Sequence, residues 1–268
     1  MFRVQTKRTH LTAALDLSEL IYHSTVRAVL RGSSNAVFAL IMNIVLSSVF
    51  IVALYITMKL MGWQSGALRG DFVLFLMAGV MSYMTYNKTM KAVFGAEGPT
   101  SPMMLHSPMT PAISISSAAL SALYQQILTV CVVLFVYHVA FKPVEIYQPV
   151  LAFTMLLASW FFGVGTGMVL LSIKPWAPKL APLLLMIVSR INIFASGKMM
   201  LGNTLSFTLL KFFDWNPLFH LIDQMRGALF INYMPRNSSI SYALWVSTAL
   251  VAIGLMGEFF SRRNAPKY

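Results

Sequence analysis

The residues able to do chemistry in this chain are few and scattered. His10, His23, His106, His138 and His220 never stand four apart, so no helical metal-ligand pair exists. Cys131 is the only cysteine, which excludes a thiolate cluster and a disulfide framework. In mid-helix it is expected to pack as a small apolar residue. Gly197-Lys198 is followed by Met199 and lacks the upstream glycine of a phosphate loop. Gly163, Gly165 and Gly167 lie in an uncharged run with no flanking strand. They therefore read as small residues that let helices approach closely, not as a dinucleotide site. Arg190, His220 and Asp223 remain as the one polar set an embedded lipid-modifying enzyme could use. No nucleophile–base–acid arrangement accompanies them, and no metal or cofactor is expected in the chain itself.

The elements that must carry these residues follow from composition. Of 268 residues, 57% are hydrophobic and 10% charged, against about 25% charged in soluble domains. A soluble fold of this length cannot hide so much apolar surface, and disordered chains are polar. The solvent for this chain is lipid. Its formal net charge is +12. The basic residues cluster between apolar runs, as juxtamembrane anchors do, and form no stripe interleaved with aromatics that would bind nucleic acid.

Apolar runs of about 20 residues read as spans. The pattern predicts an all-α integral membrane fold with six transmembrane helices, at about 36–58, 72–90, 113–139, 148–173, 180–197 and 238–258. Pro99, Pro102, Pro108 and Pro111 break the long uncharged stretch before the third span. An even number puts both termini on one side. That side carries twelve Lys and Arg against seven on the other, with Arg190 between them, so both termini are expected to be cytoplasmic. The first apolar run starts late and is too long for a signal peptide.

Two further segments stand out. Thr12 can cap a helix running to Arg31, with Gly32 placed to end it. Positions 16, 19, 23, 27 and 31 make a polar stripe on it, which predicts an amphipathic interfacial helix over 12–31; a cytosolic helix packed on a partner is the plainer reading. The stretch 198–236 is predicted to lie outside, yet it is rich in Leu, Phe and Met. Asn216-Pro217 is a helix start. Leu218, Ile222, Met225 and Leu229 then share one face, with His220, Asp223 and Arg226 elsewhere. A re-entrant segment between the fifth and sixth helices, lining a cavity, accounts for this; a plain interfacial helix is the alternative.

The order of elements resembles a known family. An amphipathic helix ending Arg31-Gly32-Ser33 leads into the first span, and a Pro-punctuated loop follows the second. Ser196-Gly197 closes the fifth, Asn216-Pro217-Leu218-x-His220 opens a helix running into Arg226, and the chain finishes near Arg262-Arg263. In layout this is similar to the permease subunit of type-2 ABC exporters, nearest the polysaccharide branch of capsule, O-antigen and teichoic acid exporters. It departs in having no Pro between Ser196-Gly197 and Asn216-Pro217.

The resemblance implies a homodimer in a bacterial inner membrane with the translocation path at its interface. It also implies a separate ABC ATPase subunit that holds ATP and Mg, and an outer gate formed by the re-entrant segment. The substrate would be a lipid-linked or capsular polysaccharide, with periplasmic and outer-membrane export proteins as further partners. Sugar polymers are gripped by aromatic faces, which makes Tyr83, Tyr86, Trp160, Phe161 and Phe194, with Arg190, the candidate substrate path. Phe212, Trp215, Asn216, Pro217, His220 and Arg226 are the candidate outer gate. Lys88, Lys91, Glu97 and Pro99 are the candidate ATPase-docking residues. Aromatic belts occur in any membrane protein, which is the plainer reading of the aromatics. The alternatives are a drug or small-lipid exporter on the same plan and the embedded enzyme above. A proton- or sodium-coupled transporter would need carboxylates inside the spans, and none occurs there.

Overall fold

The computed structural model describes residues 10–30, 36–62, 70–96 and 110–264. These residues form helices α1 (His10–Leu30), α2 (Ala36–Leu60), α3 (Phe72–Phe94), α4 (Pro111–Ala140), α5 (Pro149–Ile173), α6 (Leu180–Ala195), α7 (Phe207–Phe213), α8 (Pro217–Leu229) and α9 (Ile240–Asn264), with a short 3₁₀ turn at Gly202–Thr204. Among the described residues there is no strand. The helix ends follow local chemistry. Asp71 and Thr110 accept N–H bonds from Val73 and Ile113 as N-caps, and Pro111 and Pro149 occupy first helical positions. Helix α1 begins before Thr12, which is therefore inside its first turn and not its cap. Gly32 and Arg31 lie outside the described residues.

Four helices are long and apolar enough to cross a membrane: α2 over Leu40–Leu60, α4, α5, and α9 over Ile240–Ser261, with mean hydropathies of 2.3, 2.0, 1.8 and 1.7. This is a membrane protein. The other two expected spans have different characters. Helix α6 is apolar but has only 16 residues, about 24 Å of helix. Helix α3 has 23 residues and ends in two turns that carry Lys88 and Lys91.

Helix α3 is the centre of the bundle. It touches α2, α4, α5, α6 and α8, and 16 of its residues are buried. Its principal neighbour α5 comes close because of its glycines. A Cβ at Gly163 would meet the Tyr86 carbonyl oxygen at 2.6 Å, and one at Gly167 the Met90 carbonyl at 2.8 Å. Gly165 faces the other way, against Ser247 and Leu250 of α9. The three glycines thus bring α5 against helices on two sides, the role their spacing predicts. Helix α1 packs mainly on α4, with Glu19 and His23 on its exposed side, 3.6 Å apart. Cys131 does not pack as expected; it is exposed on the outer face of α4.

Candidate functional site

A polar seam joins α3 to α6. The Ser189 hydroxyl donates to Asn87 Oδ1 at 2.7 Å, and the Tyr83 hydroxyl reaches the Ser189 carbonyl at 3.4 Å. One turn on, Asn192 Nδ2 donates to the Tyr86 hydroxyl at 3.2 Å. Tyr86 stacks on Phe162 of α5, with ring centres 4.7 Å apart. The seam continues into the next segment: Asn216 Nδ2 donates to Asn192 Oδ1 at 3.0 Å and to the Ala195 carbonyl at 2.8 Å. Asn216 Oδ1 simultaneously accepts the Leu218 N–H and caps α8. One buried side chain therefore ends one helix and starts another.

The segment from Ser196 to Ser239 folds into a knot around α8. Gly197 turns the chain with φ +62°, and a Cβ there would meet the Phe219 ring at 2.6 Å. The following carbonyls converge on Arg226. Its Nη1 donates to Gly197 at 3.3 Å and to Met200, its Nη2 donates to Lys198, and the guanidinium lies 3.9 Å from the centre of the Phe75 ring. Burial lowers the Arg226 pKa to about 10, against the opposing field of Asp223, so it is cationic at neutral pH. Asp223 accepts from the Tyr233 hydroxyl and from Ser238 Oγ at 2.8 Å. Burial and the Asp223 charge raise the Tyr233 pKa, which keeps the phenol a donor. Gly202 leaves room for that carboxylate, since a Cβ would meet it at 2.8 Å. His220 Nδ1 accepts the Ser239 N–H at 3.1 Å, so Nε2 carries the proton and donates to the Asp214 carbonyl at 2.8 Å.

Both faces of α8 are consequently covered. His220, Asp223 and Arg226 are 3%, 1% and 1% exposed, so the helix does not present the polar face to a cavity that its periodicity predicts. Its polar residues hold their own segment together. Asn216 and Pro217 are buried with them. Phe212 and Trp215 are the members of the candidate outer gate that remain exposed; Trp215 Nε1 donates to the Phe212 carbonyl at 2.7 Å.

The candidate path residues separate into three places. Tyr83 and Tyr86 are buried in the seam. Trp160 and Phe161 are half-buried on α5, and Trp160 Nε1 donates to the Ala119 carbonyl at 2.8 Å, which ties α5 to α4. Arg190 and Phe194 lie one turn apart on the exposed face of α6, where Phe194 is 73% exposed. Arg190 thus does not turn into the interior of its own chain. Of the docking candidates, Lys88 is half-buried and Lys91 exposed at the end of α3. Glu97 and Pro99 lie outside the described residues.

Sequence reading missed Lys198, which counted there as one more outer basic residue. It is 1% exposed, and its ammonium has no hydrogen-bond partner among the described residues. It lies instead 3.9 Å from the Tyr83 ring centre and 5.0 Å from that of Phe50, a cation–aromatic contact strengthened by the loss of water. Gly79 makes the approach possible, since a Cβ there would meet the Lys198 carbonyl at 2.7 Å. Among the described residues no group of acidic, His or Cys side chains could hold a metal ion. The chain matches no protein-family model, and no curated protein matches it closely enough to count as a relative.

Proposed function

We propose that the chain is the membrane-spanning permease subunit of an ATP-driven exporter that moves a lipid-linked or capsular polysaccharide across a bacterial inner membrane. The observation that carries the reading is Arg190 on the exposed face of α6. Ten residues from Leu180 correspond to about 15 Å of helix, half the ~30 Å hydrocarbon thickness. Bare lipid is a poor neighbour for a cation there, on the order of 2.5–3.5 kcal/mol on insertion scales. A wet path shared with a second copy of the chain satisfies it, and acidic sugars or lipid phosphates passing along that path would meet a fixed charge.

On this reading α3 and α6 also cross the bilayer, making six spans, and α1 lies in the cytoplasmic interface. The knot from Ser196 to Ser239 closes the outer end, with Phe212 and Trp215 available to a sugar face. Both termini are cytoplasmic. Lys88, Lys91, Glu97 and Pro99 dock an ABC ATPase that supplies ATP and Mg. The embedded-enzyme alternative loses support because His220 and Asp223 engage their polar atoms within their own segment.

The test is a paired one. The purified chain should hydrolyse no ATP, and hydrolysis should appear with an ABC ATPase encoded beside it. A crosslinker at Lys91 should capture that ATPase, and deletion of the chain in cells should leave polymer inside. ATP turnover by the chain alone, capture at Lys91 of periplasmic proteins only, or normal surface polymer after deletion would each overturn the proposal.

A further inference from the structure

A cavity of about 1050 Å3 lies between α2, α3 and α4, apart from the α3–α6 seam and the knot. Its chemistry is divided along its length. Ile44, Ile51, Val52, Val133 and Val136 make an apolar trough, and Lys59, Asp71, Tyr137 and Lys142 gather at one end. Fifteen residues separate Ile44 from Lys59, about 22 Å of helix. That is the depth of one leaflet with its headgroup zone, half of the ~40–45 Å bilayer. Val52 and Val136 are 54% and 51% exposed, so the trough opens sideways, towards lipid.

The polar end carries an uncompensated positive charge. Asp71 is already engaged, with Oδ1 accepting the Val73 N–H at 2.9 Å and Oδ2 the Tyr137 hydroxyl at 2.5 Å. Lys59 and Lys142 are exposed, and neither takes part in an ion pair among the described residues. The Lys59 ammonium stands 6.0 Å from the centre of Tyr55, another lining residue. A free phosphate would leave the trough empty of anything apolar. A second copy packed symmetrically here would bring lysines against lysines.

We infer that this groove binds one anionic phospholipid of the adjoining leaflet, its phosphate between Lys59 and Lys142 and one acyl chain along the α2–α4 trough. The inference needs α2 and α4 to cross the membrane and is independent of what the protein transports. The phosphate completes the charge that Asp71 leaves unmatched, and the chain fills space that side chains do not.

Native mass spectrometry of the full chain, extracted from vesicles of equal phosphatidylglycerol and phosphatidylcholine, tests this. One retained phosphatidylglycerol is expected, at least fivefold over phosphatidylcholine. The double variant Lys59→Gln/Lys142→Gln should bring that ratio near one, and Val136→Trp, which fills the trough, should retain no lipid, both with wild-type helicity and melting. If Val136→Trp fails to fold, the lysine variant still decides. No retained lipid in the wild type, no preference for phosphatidylglycerol, or a preference unchanged in the lysine variant would overturn the inference. So would efficient crosslinking of two copies through Val52→Cys in a Cys131→Ser background, which would put a second chain in the groove.

Discussion

The Lys198 ammonium lies 3.9 Å from the centre of the Tyr83 ring, inside the bundle, with no hydrogen-bond partner among the described residues. An aromatic face returns about 2 kcal/mol or more to a desolvated cation. Stripping water from an ammonium costs several kcal/mol. Burial therefore lowers the Lys198 pKa to about 7, so near neutral pH the fold carries an amine poised to give up its charge, at the junction of the central helix and the knot.

Lys198→Met should accordingly be neutral or stabilising, by up to about 4 kcal/mol, the range found when buried ion pairs are replaced by apolar residues of similar volume. Thermal unfolding of the purified variant measures this. A melting point well below wild type would mean that the cation–aromatic contact outweighs its desolvation.

Gly197→Ala should weaken the knot for two separable reasons. The left-handed φ of +62° costs an alanine about 1–2 kcal/mol, and its methyl would strike the Phe219 ring. Phe219→Leu should recover the steric part alone. Limited proteolysis between Ser206 and Trp215 reads the loosening. Full recovery in the double variant would show that backbone conformation contributes nothing at this turn.

How far the sequence carries this structure depends on the range of each interaction. Asn216-Pro217 announces α8 because a cap and its helix are neighbours in the chain. The spacing of Gly163, Gly165 and Gly167 announces close packing because a helix face repeats locally. The same periodicity divides α8 into two faces but cannot tell that both are covered, since Asp223 meets Tyr233 and Ser238 and Arg226 meets residues 28 and 29 positions away. Lys198 was illegible for that reason: its burial depends on Gly79 and Phe50, far off in sequence. Arg190 was legible as a misplaced charge, but its outward direction is set by the packing of α6 on α3 and α5.

Arg226→Lys tests whether the guanidinium fork, and not merely a cation, organises the turn. A lysine keeps the charge but cannot reach the carbonyls of Gly197, Lys198 and Met200 together. Each buried carbonyl left without a donor costs about 1–3 kcal/mol. The expected result is a melting point lower by several degrees in Arg226→Lys, and lower still in Arg226→Ala. Wild-type stability in the lysine variant would assign the role to charge alone.

Arg190 should behave in the opposite way to Arg226. It is exposed on α6, so Arg190→Ala removes no internal contact on which the chain's fold depends, and insertion becomes easier without the cation. Membrane levels and melting should stay at wild type. If acidic groups of the substrate pass this charge, surface polymer should fall by more than fivefold. Arg190→Lys, which keeps a point charge but loses the planar fork, should retain part of the export. Quantifying membrane-extracted protein beside surface polymer separates the two effects. Full export in Arg190→Ala would remove Arg190 from the path, and loss of the protein from the membrane would make it a folding residue held by a partner chain.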